Sequence, residues 1–216
     1  MTIRAVMFDL DGTLLDTLED IGRAANRVLA SNGFAEHPLD SYKYFVGDGA
    51  AVLFQRALPE GHDRGETFER CLREFREDYG RTWNVTTAPY PGIPELLDGL
   101  VRRGMRMSVL SNKPHAITEA CVRGLLARWT FDAVSGFQEG VPKKPDPSGA
   151  IAIARRMGLS PDEFLFLGDT GTDMETARGA GMRPIGALWG FRTREELLAH
   201  GAERLLQQPE ELLDLL

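Results

Sequence analysis

Asp9 and Asp11 stand two apart in the stretch Asp9-Leu10-Asp11-Gly12-Thr13, directly after the apolar run 3–8. Residues two apart on a strand share a face, so the two carboxylates are expected to look into one pocket. Side by side at a buried strand end they repel each other unless a positive charge lies between them. A divalent cation would relieve that repulsion. A cation, a carboxylate nucleophile and a second carboxylate for proton transfer are together what phosphate-ester chemistry requires.

Three further polar stretches carry chemistry of the same kind. Ser111-Asn112 follows the run 105–110. Lys143-Lys144-Pro145-Asp146-Pro147 precedes a helical pattern. Gly168-Asp169-Thr170-Gly171-Thr172-Asp173 follows the run 164–167. The added aspartates suit a hard cation, and Mg²⁺ prefers all-oxygen donors with room for water and a phosphate oxygen. A hydroxyl, a backbone N–H and an ammonium suit a phosphoryl group. Either Lys143 or Lys144 could supply that ammonium, and Lys144 stands directly before the proline.

The elements that position these stretches alternate. Strands are expected at 3–8, 105–110, 131–134, 164–167, 183–188 and, weakly, 203–206. Helical patterns fall at 93–103, 115–126, 147–157, 173–180, 194–199 and 209–215. Continuous apolar runs fit strands covered on both faces. The alternation predicts an α/β fold with a doubly wound parallel sheet and right-handed crossovers. All parallel strands end on one edge, so Ser111-Asn112 is expected in a loop at that edge, with the other stretches beside it.

Residues 16–88 break the alternation and read as helices at 17–31, 49–58 and 64–82. Ile21, Ala24, Ala25, Val28 and Leu29 carry the first pattern, and Phe68, Leu72, Phe75 and Tyr79 the third. The expected division is therefore a core of 1–15 and 89–216 with a helical insertion of 16–88. The insertion begins just past the Asp9–Asp11 turn, at the edge where open α/β sheets hold ligands, and is expected to serve as a lid.

Composition excludes several function classes. The net charge is −7, which argues against nucleic acid as a partner but allows a small anionic substrate in a locally positive site. No apolar run approaches a membrane span, and the first residues lack the pattern of a signal peptide. Cys71 and Cys121 have no Cys-x-x-Cys partner and read as reduced, buried thiols of a cytoplasmic protein. The four histidines are scattered without metal-ligand spacing.

In order and spacing, Asp9-Leu10-Asp11-Gly12-Thr13, Ser111, Lys144 and Gly168-Asp169 with Asp173 resemble the four motifs of the haloacid-dehalogenase-like hydrolase superfamily, in its phosphatase branch. Gly12 to Thr17, Val46-Gly47-Asp48-Gly49, Tyr90-Pro91-Gly92 and Lys144-Pro145-Asp146-Pro147 make the chain most similar to phosphoglycolate phosphatases. The resemblance implies a Rossmann-like core with an inserted helical cap. It implies Asp9 as a nucleophile that forms an aspartyl phosphate, and Asp11 as the general acid and base. It implies Mg²⁺ on the Asp9 carboxylate, the Asp11 carbonyl and Asp169, with Asp173 holding a metal-bound water or Lys144. Ser111 and the Asn112 N–H would bind the phosphoryl oxygens, and Lys144 would offset the negative charge.

In the cap, Gly47 with the flanking cations Lys43 and Arg56 is a candidate for substrate recognition. The implied substrate is a small phosphorylated metabolite, 2-phosphoglycolate first. A sugar-phosphate mutase of the β-phosphoglucomutase kind, a pyrophosphatase and a non-enzymatic phospho-acceptor or scaffold module stay open, as do monomer and homodimer. A dehalogenase is disfavoured because Asp11 is present.

Overall fold

The computed structural model of the protein describes residues 2–216. Contacts divide the chain into two compact units. One comprises the described residues up to Leu15 together with Pro89–Leu216; the other is Asp16–Ala88.

The first unit is built on β1 (Ala5–Phe8). The chain then passes β2 (Leu15–Asp16), traverses the second unit, and returns through β3 (Ala88–Pro89). β2 and β3 form a two-stranded ribbon of their own. The remaining strands are β4 (Arg106–Pro114), β5 (Ala133–Phe137), β6 (Phe164–Gly168), β7 (Arg183–Ala187) and β8 (Arg204–Leu206). The sheet order is β5-β4-β1-β6-β7-β8, and every pairing is parallel. β1 pairs with β4 from Ala5↔Arg106 to Phe8↔Val109, and with β6 from Ala5↔Phe164 to Phe8↔Leu167. The chain therefore winds one way from β1 to β4 and β5, and the other way through β6 to β8. The switch point of the sheet lies at the carboxyl end of β1, the place where such sheets hold ligands.

β1 is buried at all four residues. Ala5 and Met7 join a core with Ala150, Ile153 and Phe166. Val6 and Phe8 point the other way and are equally buried. Covered faces on both sides are why these strands read as continuous apolar runs.

Two local expectations need correction. β4 does not stop at Leu110. It stays extended through Ser111, Asn112 and Lys113, with a register shift between Leu110 and Pro114. These polar residues are buried and bonded, so the chain stays extended where polarity alone signals a loop. The third strand begins at Ala133, because the carboxylate of Asp132 is held by Arg106 at 2.6 Å. The helical pattern expected at 209–215 is present as a 3-10 helix, Pro209–Leu215.

The second unit contains α1 (Leu18–Ser31), α2 (Tyr42–Phe45), α3 (Ala50–Ala57) and α4 (Glu66–Thr82). α1 buries Ile21, Ala24, Ala25, Val28 and Leu29; α4 buries Phe68, Leu72, Phe75 and Tyr79. Arg27 of α1 pairs with Asp78 of α4 at 2.5 Å. Phe75 meets Phe54 at 5.2 Å and stacks on Tyr79 at 5.4 Å. Asn26 joins α1 to the following loop by accepting from Tyr42 Oη at 2.7 Å and the His37 N–H at 2.9 Å.

Asp20 is the buried acid of this unit. It accepts from the N–H groups of Thr86 and Thr87 and from both threonine hydroxyls, at 2.7–3.1 Å. Burial raises its pKa, but these hydrogen bonds outweigh it, and the carboxyl lies below its usual 3.8. A depressed carboxyl pKa gives stability that is present above 3.8 and lost as pH falls through the folded value. Asp20→Ala is expected to destabilise the unit by about 3 kcal/mol at pH 7, because it strands several buried donors. Urea denaturation checks this, and the gap between wild type and variant should shrink on acidification below pH 3.8.

The first unit carries α5 (Ile93–Arg102), α6 (His115–Leu125), α7 (Ser148–Arg156), α8 (Gly171–Ala180) and α9 (Arg194–Ala199). Among the described residues no helix is long and apolar enough to cross a membrane. Cys71 and Cys121 are unpaired and buried. Burial pushes the Cys121 thiol up to about 11 and also raises that of Cys71, so both stay protonated at neutral pH.

Candidate active site

Asp9 is the first residue beyond β1, anchored by its N–H to the Leu167 carbonyl at 2.9 Å. A tight turn follows, in which the N–H groups of Thr13, Leu14 and Leu15 all donate to the Leu10 carbonyl. Gly12 adopts φ 84°, and a Cβ there would lie 2.3 Å from Asp169 Oδ2. Both facts require glycine.

Asp169 follows β6 and is wholly buried. Its Oδ1 accepts from Thr13 Oγ1 at 2.8 Å and its Oδ2 from the Phe191 N–H at 2.9 Å. Asp173 is the third residue of α8. Its Oδ2 accepts from Thr170 N at 3.0 Å and Thr170 Oγ1 at 2.7 Å, a capping box that fixes the carboxylate at the helix start. Gly168 makes room for it, since a Cβ there would sit 2.3 Å from Asp173 Cβ.

Lys144 completes the group. Its Nζ lies 2.8 Å from Asp9 Oδ1 and 2.6 Å from Asp173 Oδ1, and the side chain is 2% exposed. Asn112 holds the loop that carries it: the Asn112 amide accepts from Lys144 N at 2.9 Å and donates to Lys144 O at 3.0 Å. Lys143, by contrast, is half-buried. Of the two lysines, Lys144 is the one set among the acids.

Carboxylate oxygens of Asp9, Asp169 and Asp173 all lie within 4.8 Å of one another. Three buried acids thus meet, and one ammonium bridges two of them, Asp9 and Asp173. Burial, with the charges of Asp173 and Asp11 adding to it, pushes the Asp9 carboxyl up to about 7 despite Lys144. Burial and the charges of Asp173 and Asp9 raise Asp169 well above the usual carboxylate range. Burial disfavours the Lys144 charge, but Asp173 and Asp9 outweigh it and raise its pKa. One ammonium does not balance three carboxylates, and the oxygen atoms of those acids face one another. The cluster is a group able to hold a divalent cation.

The side chain of Asp11 is near enough for its charge to help raise the Asp9 carboxyl, and it is held by a second lysine. Asp11 Oδ1 pairs with Lys113 Nζ at 2.7 Å, both side chains being largely buried. Ser111 is buried on β4, and its Oγ accepts from the Lys113 N–H at 3.2 Å.

Sequence reasoning gave Thr13 no role of its own and missed Lys113 and the loop Trp189–Phe191. Thr13 and Phe191 support Asp169, and Trp189 Nε1 donates to the Thr13 carbonyl at 2.9 Å. Thr170 was findable, because Thr-x-x-Asp has capping-box spacing.

In the second unit, Arg56 Nη2 pairs with Asp48 Oδ2 at 2.6 Å, and Nη1 donates to the Tyr44 carbonyl at 2.9 Å. Arg56 therefore braces the loop of Gly47 (φ 117°) and Gly49 (φ 90°). Lys43 pairs with Asp40 at 3.0 Å on the surface.

Residues 6–187 match the family model described as haloacid dehalogenase-like hydrolase. A phosphoglycolate phosphatase of Pseudomonas putida is 32% identical over 192 residues, covering 87% of this chain and 70% of that protein. The N-acetylmuramic acid 6-phosphate phosphatase of Pseudomonas aeruginosa is 31% identical over 217 residues, covering 100% of this chain and 96% of that protein. A crystal structure from Lactobacillus delbrueckii subsp. bulgaricus aligns with a TM-score of 0.93 at 29% identity, covering 100% of this chain and 98% of that one.

Proposed function

The chain belongs to the haloacid dehalogenase-like hydrolase family, and from that premise we propose that it is a Mg²⁺-dependent phosphomonoester hydrolase working through a phosphorylated Asp9. The observation that carries this reading is the meeting of Asp9, Asp169 and Asp173, with Lys144 bridging Asp9 and Asp173, at the switch point of the sheet.

The carboxylates of Asp9 and Asp169 and the Asp11 carbonyl would hold the cation, with Asp173 behind them. When bound, it supplies positive charge to the phosphoryl oxygens and to the attacking carboxylate. Ser111 and the Asn112 N–H bind the phosphoryl group, and Lys144 orients Asp9 and offsets its charge. A carboxylate oxygen of Asp9 attacks phosphorus as the ester P–O bond breaks. Asp11 gives a proton to the departing alcohol oxygen. A water molecule then attacks phosphorus, Asp11 takes its proton, and inorganic phosphate leaves with Asp9 restored.

The leading substrate is 2-phosphoglycolate, supported by the Pseudomonas putida relative. The 100% coverage of this chain by the N-acetylmuramic acid 6-phosphate phosphatase favours that ester as the second reading. Two unpaired buried cysteines support a reducing compartment, the cytoplasm.

Steady phosphate release from a panel of 2-phosphoglycolate, N-acetylmuramic acid 6-phosphate and p-nitrophenyl phosphate tests the reading. The first is expected to rank highest by kcat/KM. Excess EDTA should lower every rate about 100-fold or more, and Mg²⁺ should restore it. Release indifferent to EDTA, or an isomerised sugar phosphate as the product, would overturn it.

A further inference from the structure

Lys113 has no part in the reaction as set out above, yet it is built into the same site. Its side chain is 3% exposed, and Nζ lies 2.7 Å from Asp11 Oδ1. Its backbone is fixed on several sides. The N–H donates to Ser111 Oγ at 3.2 Å, and the carbonyl accepts from Thr118 Oγ1 at 3.2 Å. A Cβ on Gly136 would come within 2.6 Å of that carbonyl, so β5 closes against it. Pro114 follows, and α6 begins at the next residue. A buried ammonium on so fixed a backbone is a positioned group, and its charge needs anionic partners.

We propose that Lys113 binds an anionic group carried beside the ester oxygen of the leaving alcohol, and so selects phosphate esters of 2-hydroxy acids. This rests on the reading of Asp11 as the proton donor to that oxygen. A proton donor must come within hydrogen-bond reach of the atom it protonates. Lys113 Nζ is one hydrogen bond away from Asp11, hence close to the same oxygen. In the phosphate ester of a 2-hydroxy acid, the carboxylate sits on the carbon that bears that oxygen. It falls within reach of the ammonium while Asp11 attends to the oxygen. An ammonium has three donors and can hold Asp11 and a substrate carboxylate together. In N-acetylmuramic acid 6-phosphate the acid is remote from the ester oxygen, so Lys113 favours 2-phosphoglycolate.

The test compares kcat/KM in Mg²⁺ for 2-phosphoglycolate and for 2-hydroxyethyl phosphate, its neutral counterpart. The wild-type protein is expected to prefer the former about 100-fold or more, since a site built around a polar partner rejects the analogue lacking it. Lys113→Met should lower both values but erase most of that preference, with KM for 2-phosphoglycolate rising most. Lys113→Arg should restore part of the preference. An equal loss on both esters would mean that Lys113 serves Asp11 alone, and would overturn the proposal. If Lys113→Met does not fold by circular dichroism, Lys113→Gln supplies the ratio. A wild-type protein that hydrolyses both esters without preference overturns this inference and leaves the phosphatase reading standing. No release from any ester overturns both.

Discussion

Asp9→Asn is expected to lower turnover on the order of 10⁴-fold or more, because an amide cannot attack phosphorus and no other described group replaces it. The fold should survive. Asp9 is one of the three buried carboxylates of the cluster, and its removal relieves repulsion with Asp173 and Asp11. Stability gives an independent check. The Asp9 carboxyl is pushed from 3.8 up to about 7 by burial. A carboxyl with a raised folded pKa favours the native state below its unfolded value, and that contribution is lost as pH rises through the folded value. Metal-free wild type should therefore lose stability relative to Asp9→Asn as pH climbs through about 7. Added Mg²⁺ should narrow the gap by mass action. Phosphate release and thermal denaturation at several pH values measure both effects. Wild-type turnover in Asp9→Asn would remove Asp9 as the nucleophile.

Lys144→Met is expected to cost both stability and rate. It leaves Asp9 and Asp173 without the ammonium that now sits 2.8 and 2.6 Å from them. Breaking a buried ion pair from one side costs about 3–5 kcal/mol. Loss of a positioned charge beside the transferred group costs about 10³-fold in kcat. Lys144→Arg should not rescue it fully, because a planar fork does not fill the place of a compact ammonium. Urea midpoints and kcat of the folded fraction are the measurements. A variant that folds and turns over normally would take Lys144 out of the reaction.

The chain order of the strands was legible because both faces of the sheet are covered. Runs such as Phe164–Gly168 are buried at every position and show no alternation to confuse. The helical pattern of α1 was legible for the opposite reason, since only one stripe is apolar. What the sequence hid was pairing over distance. Lys113 lies in a polar run and resembles a solvated charge; its partner Asp11 is 102 positions away. Thr13 looks like a turn residue until Asp169, 156 positions on, is seen to accept its hydroxyl. Asp9 and Asp169 were identified because each follows a buried strand directly. Ser111 and Asn112 were expected in a loop, because polarity marks a strand end only where the polar groups face water. In β4 they are buried, and the Asn112 amide binds the Lys144 backbone on both its N–H and its carbonyl.

The ribbon of β2 and β3 brings Leu15–Asp16 and Ala88–Pro89 side by side, and Asp20 fastens Thr86 and Thr87 near the same point. A segment whose two ends meet is a detachable cassette. It can be lengthened, traded or deleted in evolution without pulling on the layer of strands to which it is joined. A change in the length of the chain between β2 and β3 need not move the acids at the strand ends.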